Sequence, residues 1–113
     1  MIEPGTTFSD PSKRADRADR AAITHVLKCW PKFFGAINDG EKRHDLRRAG
    51  ERDFRVGDLM LLREFSPEAE AYTNRDCMVR ITYITSAVEP CALSEQALHE
   101  DFCILSIVLV TDA

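Results

Sequence analysis

Residues 54–65 read FRVGDLMLLREF, and the fold turns on how this run is taken. Val56-Gly57-Asp58 has turn chemistry: glycine frees the backbone, and a short acid can bind nearby backbone N–H groups. Leu59 to Glu64 then reads as a short apolar run of strand length leading out of the turn, the mark of a buried strand. Downstream, Ser66 to Thr73 contains Pro67 and several acids and reads as a hairpin loop. The run that follows, CMVRITYIT at Cys77 to Thr85, alternates with period two. That alternation puts Val79, Ile81 and Tyr83 on one face and Met78, Arg80 and Thr82 on the other.

Upstream, His25 to Cys29 (HVLKC) alternates enough for a first strand. Pro31 suits the first turn of a helix, in which Phe33, Phe34 and Ile37 share a face. Asn38, Asp39 and Gly40 end that helix, with Gly40 as a left-handed cap. A short strand is expected over Arg43 to Arg47, with Leu46 turned inward. Residues 86 to 101 are mixed, with a short helix at Ser94 to His99 capped by Ser94. Phe102 to Val110 is apolar on both faces and reads as a central strand. The order is strand, helix, strand and three further strands. The expected class is α+β: a curved antiparallel sheet or small pseudo-barrel of about five strands, with one main helix after the first.

A chain of 113 residues with an apolar fraction of 44% fits one globular domain. Residues 1–22 are expected to form a polar and basic tail, within which Ser12 could cap a short helix; residues 23–113 form the domain. No apolar run approaches the roughly 20 residues of a membrane span. The start has no apolar signal region. A cytoplasmic location and no membrane partner are therefore expected. Cys29, Cys77, Cys91 and Cys103 contain no CxxC pair, and neither His25 nor His99 has a metal partner at a recognisable spacing. No metal and no cofactor are expected. Three of the four cysteines read as small buried hydrophobes. Nucleotide-cradling glycine loops and the common metal- and serine-hydrolase motifs do not occur.

The net charge is −4, yet residues 40–55 gather six Lys/Arg and one His among four acids. Residues 1–63 hold thirteen Lys/Arg against ten Asp/Glu; residues 64–113 hold two against nine. Such asymmetry can mark one face for an anionic partner. Lys42 follows the helix end by two residues. Protonated, it anchors a phosphate; in a dry cleft it can become a base. Asp45 between Arg43 and Arg47 would hold both arginines in place, a clamp suited to phosphate or to a guanine edge. Arg48 adjoins the clamp, and Arg80 could reach it across the sheet. Trp30, flanked by Lys28 and Lys32, could stack a base at a cleft edge.

These residues also carry a resemblance. THVLKCWPKFFGAINDGEKRHDLRR, then RDFRVGDLMLLREF, VRITYI and FCILSIVL, together resemble the ASCH-type domains of the PUA-like superfold, in the small bacterial and phage branch of unknown function. The likeness spans residues 24–110. Its motifs are a GxKxxExR-like segment at Gly40 to Arg47 and an FxVGDxLxLRE run at Phe54 to Glu64, supported by Leu27 to Pro31. It implies a PUA-like pseudo-barrel with a cleft beside the first helix, and RNA binding. Some relatives are hydrolases, among them an amidohydrolase of acetylated cytidine and a ribonuclease. The proposed catalytic lysine of that amidohydrolase matches Lys42, and its assisting threonine falls at Asp45.

Three readings stand. The first is a module that binds RNA, single-stranded or carrying a modified base, through Lys28, Trp30, Lys42, Arg43, Arg47, Arg48 and Arg80. The second is a small hydrolase of a modified nucleoside or RNA, with Lys42 as base and Asp45 or Glu64 as its partner. The third is a phage-type protein-interaction factor that uses its acidic C-terminal half, around Glu89 to Asp101.

Overall fold

A computed structural model of the chain describes residues 20–111. Its elements run β1 (Thr24–Cys29), α1 (Pro31–Asn38), β2 (His44–Arg48), β3 (Leu59–Ser66), β4 (Ala71–Ser86), α2 (Ser94–Ala97) and β5 (Phe102–Leu109). The five strands form one sheet in the order β1-β3-β4-β5-β2. The α+β class and the main helix after the first strand are as expected. The pairing differs in one respect: β1 lies parallel to β3, so the sheet is mixed. The helix carries the chain back across the sheet between β1 and β2, and β2 then pairs with β5 on the far edge.

The run Leu59–Ser66 is the strand that its composition implied. Gly57 has φ +99°, a conformation that suits glycine alone. Its N–H donates to the Ile81 carbonyl at 2.8 Å, so the turn is tied to β4 before β3 begins. Met60 and Leu62 are then fully buried, with Val79 and Ile81 of β4 and Leu105 and Ile107 of β5. Phe34 and Ile37 cover them from α1. Each such side chain contributes about 2 kcal/mol on burial, against about 1 kcal/mol net for a hydrogen bond, so this core holds the sheet. Cys29, Cys77 and Cys103 are part of it, and Cys91 is exposed.

Several local expectations are corrected. Leu46 is exposed and Asp45 is buried, because the edge strand β2 turns its ionic residues into the concave side. Phe33 lies at the rim of the helix stripe and is exposed. Tyr83 is exposed because a bulge between Ile81 and Tyr83 adds a residue and reverses the alternation; Ile84 takes the inward place. β4 begins at Ala71, so the hairpin loop is far shorter than Ser66 to Thr73. Ser94 is not a helix cap. Its hydroxyl donates to the Ser86 carbonyl and accepts from Cys91 N–H, pinning α2 to the end of β4.

The tail expected over residues 1–22 lies, as far as residue 19, outside the described residues, as does the Ser12 cap. Arg20 is described, and it grips Asp58 with two nitrogens at 2.8 and 3.0 Å. Asp58 also accepts from Ile23 N–H, Arg55 N–H and His25 Nε2. This buried carboxylate gathers the start of the domain, β1 and the turn before β3.

Candidate nucleic-acid interface

The two edges of the sheet, β1 and β2, do not pair through their backbones. A side chain joins them instead. Arg47 on β2 donates Nη2–H to the Lys28 carbonyl on β1 at 2.9 Å. Its Nε–H goes to Asp45 Oδ2 at 2.8 Å, and Nη1 lies 3.7 Å from Glu51. The sheet must curl for this contact to form, so the fold is a half-barrel closed by one guanidinium. This is the curved, pseudo-barrel sheet that was expected, with a seam bridged by a side chain because β2 is only five residues long and pairs with β5.

The basic loop is folded around this seam. At the end of α1, Gly40 takes φ +80°, and Glu41 N–H and Lys42 N–H both donate to the Ala36 carbonyl. Arg43 follows, and its carbonyl accepts from Ile107 N–H on β5. These bonds set Lys42 and Arg43 in a groove of about 170 Å3, whose floor includes Ile37 and Ile107. A second groove, about 290 Å3, lies across the seam and is lined by Lys28, Arg47, Arg52, Glu51, Val26 and Tyr72. It holds three cations to one carboxylate.

The expected binding residues are thus divided. Lys28 and Arg47 line the larger groove; Lys42 and Arg43 line the smaller. Trp30 lines neither. It is 55% exposed at the N-terminus of α1, where its carbonyl accepts from the Phe33 and Phe34 N–H groups. Arg48 lies on the convex face with its guanidinium 5.1 Å from the Phe102 ring centre, and exposed Arg80 stands opposite Val108. Arg52 and Tyr72 were not singled out from the sequence. Arg52 belongs to the same basic run; Tyr72 gave no signal, because its segment reads as loop.

The residues considered for catalysis have separate partners. Lys42 Nζ donates to the His44 carbonyl at 2.6 Å. Buried Asp45 is paired with Arg47. Buried Glu64 accepts from Thr73 Oγ1 at 2.6 Å and lies 3.5 Å from Arg75. Cys29 stands opposite Glu64 in the sheet register. Burial, then the Asp45 charge, push the Cys29 thiol up to about 11 against the opposing charges of Arg47 and Lys42. A thiol so raised is protonated at neutral pH and is no nucleophile. Among the described residues no group of three or more His, Cys, Asp or Glu is placed to hold a metal, and no helix is long and apolar enough to cross a membrane.

Fold and site together define a small α+β half-barrel with a cationic seam. Residues 24–107 match the family described as a domain of unknown function, DUF3850. The match covers most of the chain, which belongs to that family. Among solved structures the chain is similar to an ASCH domain from Lactobacillus crispatus JV V101, at 14% identity over 85% of this chain and 84% of that one, with a TM-score of 0.44. No curated protein matches it.

Proposed function

We propose that this protein binds RNA along the seam between β1 and β2. The observation that carries the reading is the placing of Lys28, Arg47 and Arg52 in one groove at the seam and of Lys42 and Arg43 in a second groove beside the end of α1. An acidic chain has gathered these five cations into two grooves, and clustered cations are the electrostatic footprint of a polyanion site. The sequence resemblance to ASCH-type domains supports the same reading, and the cytoplasm is the fitting location. Arg47 contributes mainly by holding the seam, since each of its guanidinium nitrogens already has a partner. Lys42 acts as a phosphate anchor.

Fluorescence polarisation with labelled single-stranded RNA at two salt concentrations tests this. Binding should weaken with salt, and Lys42→Ala/Arg43→Ala should lower the slope of log K against log salt by roughly 1.4. Wild type that fails to bind at low salt overturns the reading and turns attention to a protein partner for the acidic segment around Glu89 to Asp101.

A further inference from the structure

The larger groove is bordered by a structure that phosphate contact alone does not require. Tyr72, the second residue of β4, stands opposite Phe65 of β3, edge-on, with ring centres 5.2 Å apart. Arg63 lies over the Tyr72 ring, its guanidinium carbon 3.9 Å from the centre. Lys28, the register partner of Arg63, holds its ammonium 4.2 Å from the Phe65 ring centre and 5.9 Å from that of Tyr72. Among the described residues neither Lys28 nor Arg63 forms an ion pair with a carboxylate, although Asp76 stands opposite Arg63 in the register. Two cations without counter-charges are therefore fixed against two aromatic rings, and Tyr72, 39% exposed, borders the cationic groove.

We infer that this cluster is a stacking subsite for one unpaired nucleotide, with the base against Tyr72 and the phosphate held by Lys28, Arg63 and Arg52. The inference rests on the RNA-binding reading and deepens it by naming the form of RNA. An aromatic ring beside a cationic groove takes a base without reading its identity, since every base has a π-face. A base inside a duplex has both faces covered by its neighbours, so the subsite selects single strands. Arg63 fixes the Tyr72 ring on its strand before any ligand arrives, which reduces the ordering cost of binding.

The test uses the whole chain with a single-stranded RNA carrying 2-aminopurine, and the same RNA annealed to its complement. Wild type should bind the single strand more tightly than the duplex and quench the 2-aminopurine. Tyr72→Ala should lose about tenfold in affinity together with the quench, whereas Tyr72→Phe should keep both. Lys42→Ala/Arg43→Ala should lose affinity and retain the quench at saturation. Tyr72→Ala that binds and quenches like wild type overturns the subsite and leaves the RNA reading intact. Equal affinity of wild type for the two forms does the same. Wild type that binds neither form at low salt overturns both.

Discussion

Arg47 and Lys28 stand on opposite edges of one sheet, and the 2.9 Å bond from Arg47 Nη2 to the Lys28 carbonyl draws those edges together. The bond makes Arg47 a clasp first and a ligand contact second. Its other nitrogens hold Asp45 and Glu51, so the charge at the seam is ordered by the fold.

Arg47→Ala should therefore destabilise the protein before it weakens binding. It leaves the buried Asp45 carboxylate without its cation and opens the seam, at about 2–3 kcal/mol, or a fall in melting temperature of roughly 10 °C. Arg47→Lys should recover only part of this, because one ammonium cannot meet three acceptors held in a fork. Thermal unfolding of the two variants checks it; equal stability of wild type and Arg47→Ala would remove the clasp.

Asp58 sets an acid limit. Burial raises its pKa, but the hydrogen bonds from Arg20, His25 and the backbone N–H groups of Ile23 and Arg55 outweigh this and bring it to about 2. The folded state thus takes up the proton less readily than the unfolded chain does. The stabilisation, about 2 kcal/mol, is complete above pH ~4 and is lost as the pH falls towards ~2. Urea unfolding between those values should show this slope in wild type and a flatter one in Asp58→Asn, which will be less stable at neutral pH.

Arg20 provides a separate check on the same hub. Arg20→Ala removes the cation that holds both Asp58 oxygens, and should cost about 1–2 kcal/mol while leaving the core packing unchanged. An unchanged urea midpoint would show that Ile23, His25 and Arg55 suffice for Asp58.

The four thiols should separate cleanly. Cys91 is exposed, and hydrogen bonds from the backbone N–H groups of Leu93 and Ser94 lower its pKa. Burial raises those of Cys29, Cys77 and Cys103. Alkylation of the native protein followed by mass spectrometry should modify Cys91 first and the other three only on unfolding. Cys91→Ser should abolish the fast phase without loss of stability.

Much of the fold was legible in short stretches. Pro31, the Phe34–Ile37 spacing and Gly40 marked α1, and the apolar runs at Leu59 and Phe102 marked β3 and β5. Residues 71–76 were not legible as strand. AYTNRD is exposed throughout and owes its strand state to pairing with β3, not to a buried face. Leu46 misled because hydrophobic residues are expected inside, whereas the β2 edge places Asp45 and Arg47 there to close the seam. Tyr83 misled because a bulge leaves no trace in a period-two pattern. Of the site, the basic run at 40–55 was plain, and its division between two grooves was not.

Periodicity, caps and charge clustering depend on residues a few places apart, so the chain alone specified the helix, most strands and the excess of cations before β3. Which cation faces which groove depends on how the sheet curls. Lys28 and Arg47 lie nineteen residues apart, and Arg20 and Asp58 thirty-eight. No local pattern relates such pairs. Arg20 and Asp58 meet because β1 pairs with β3, and Lys28 and Arg47 because the sheet curls until its two edge strands come within reach of a single side chain.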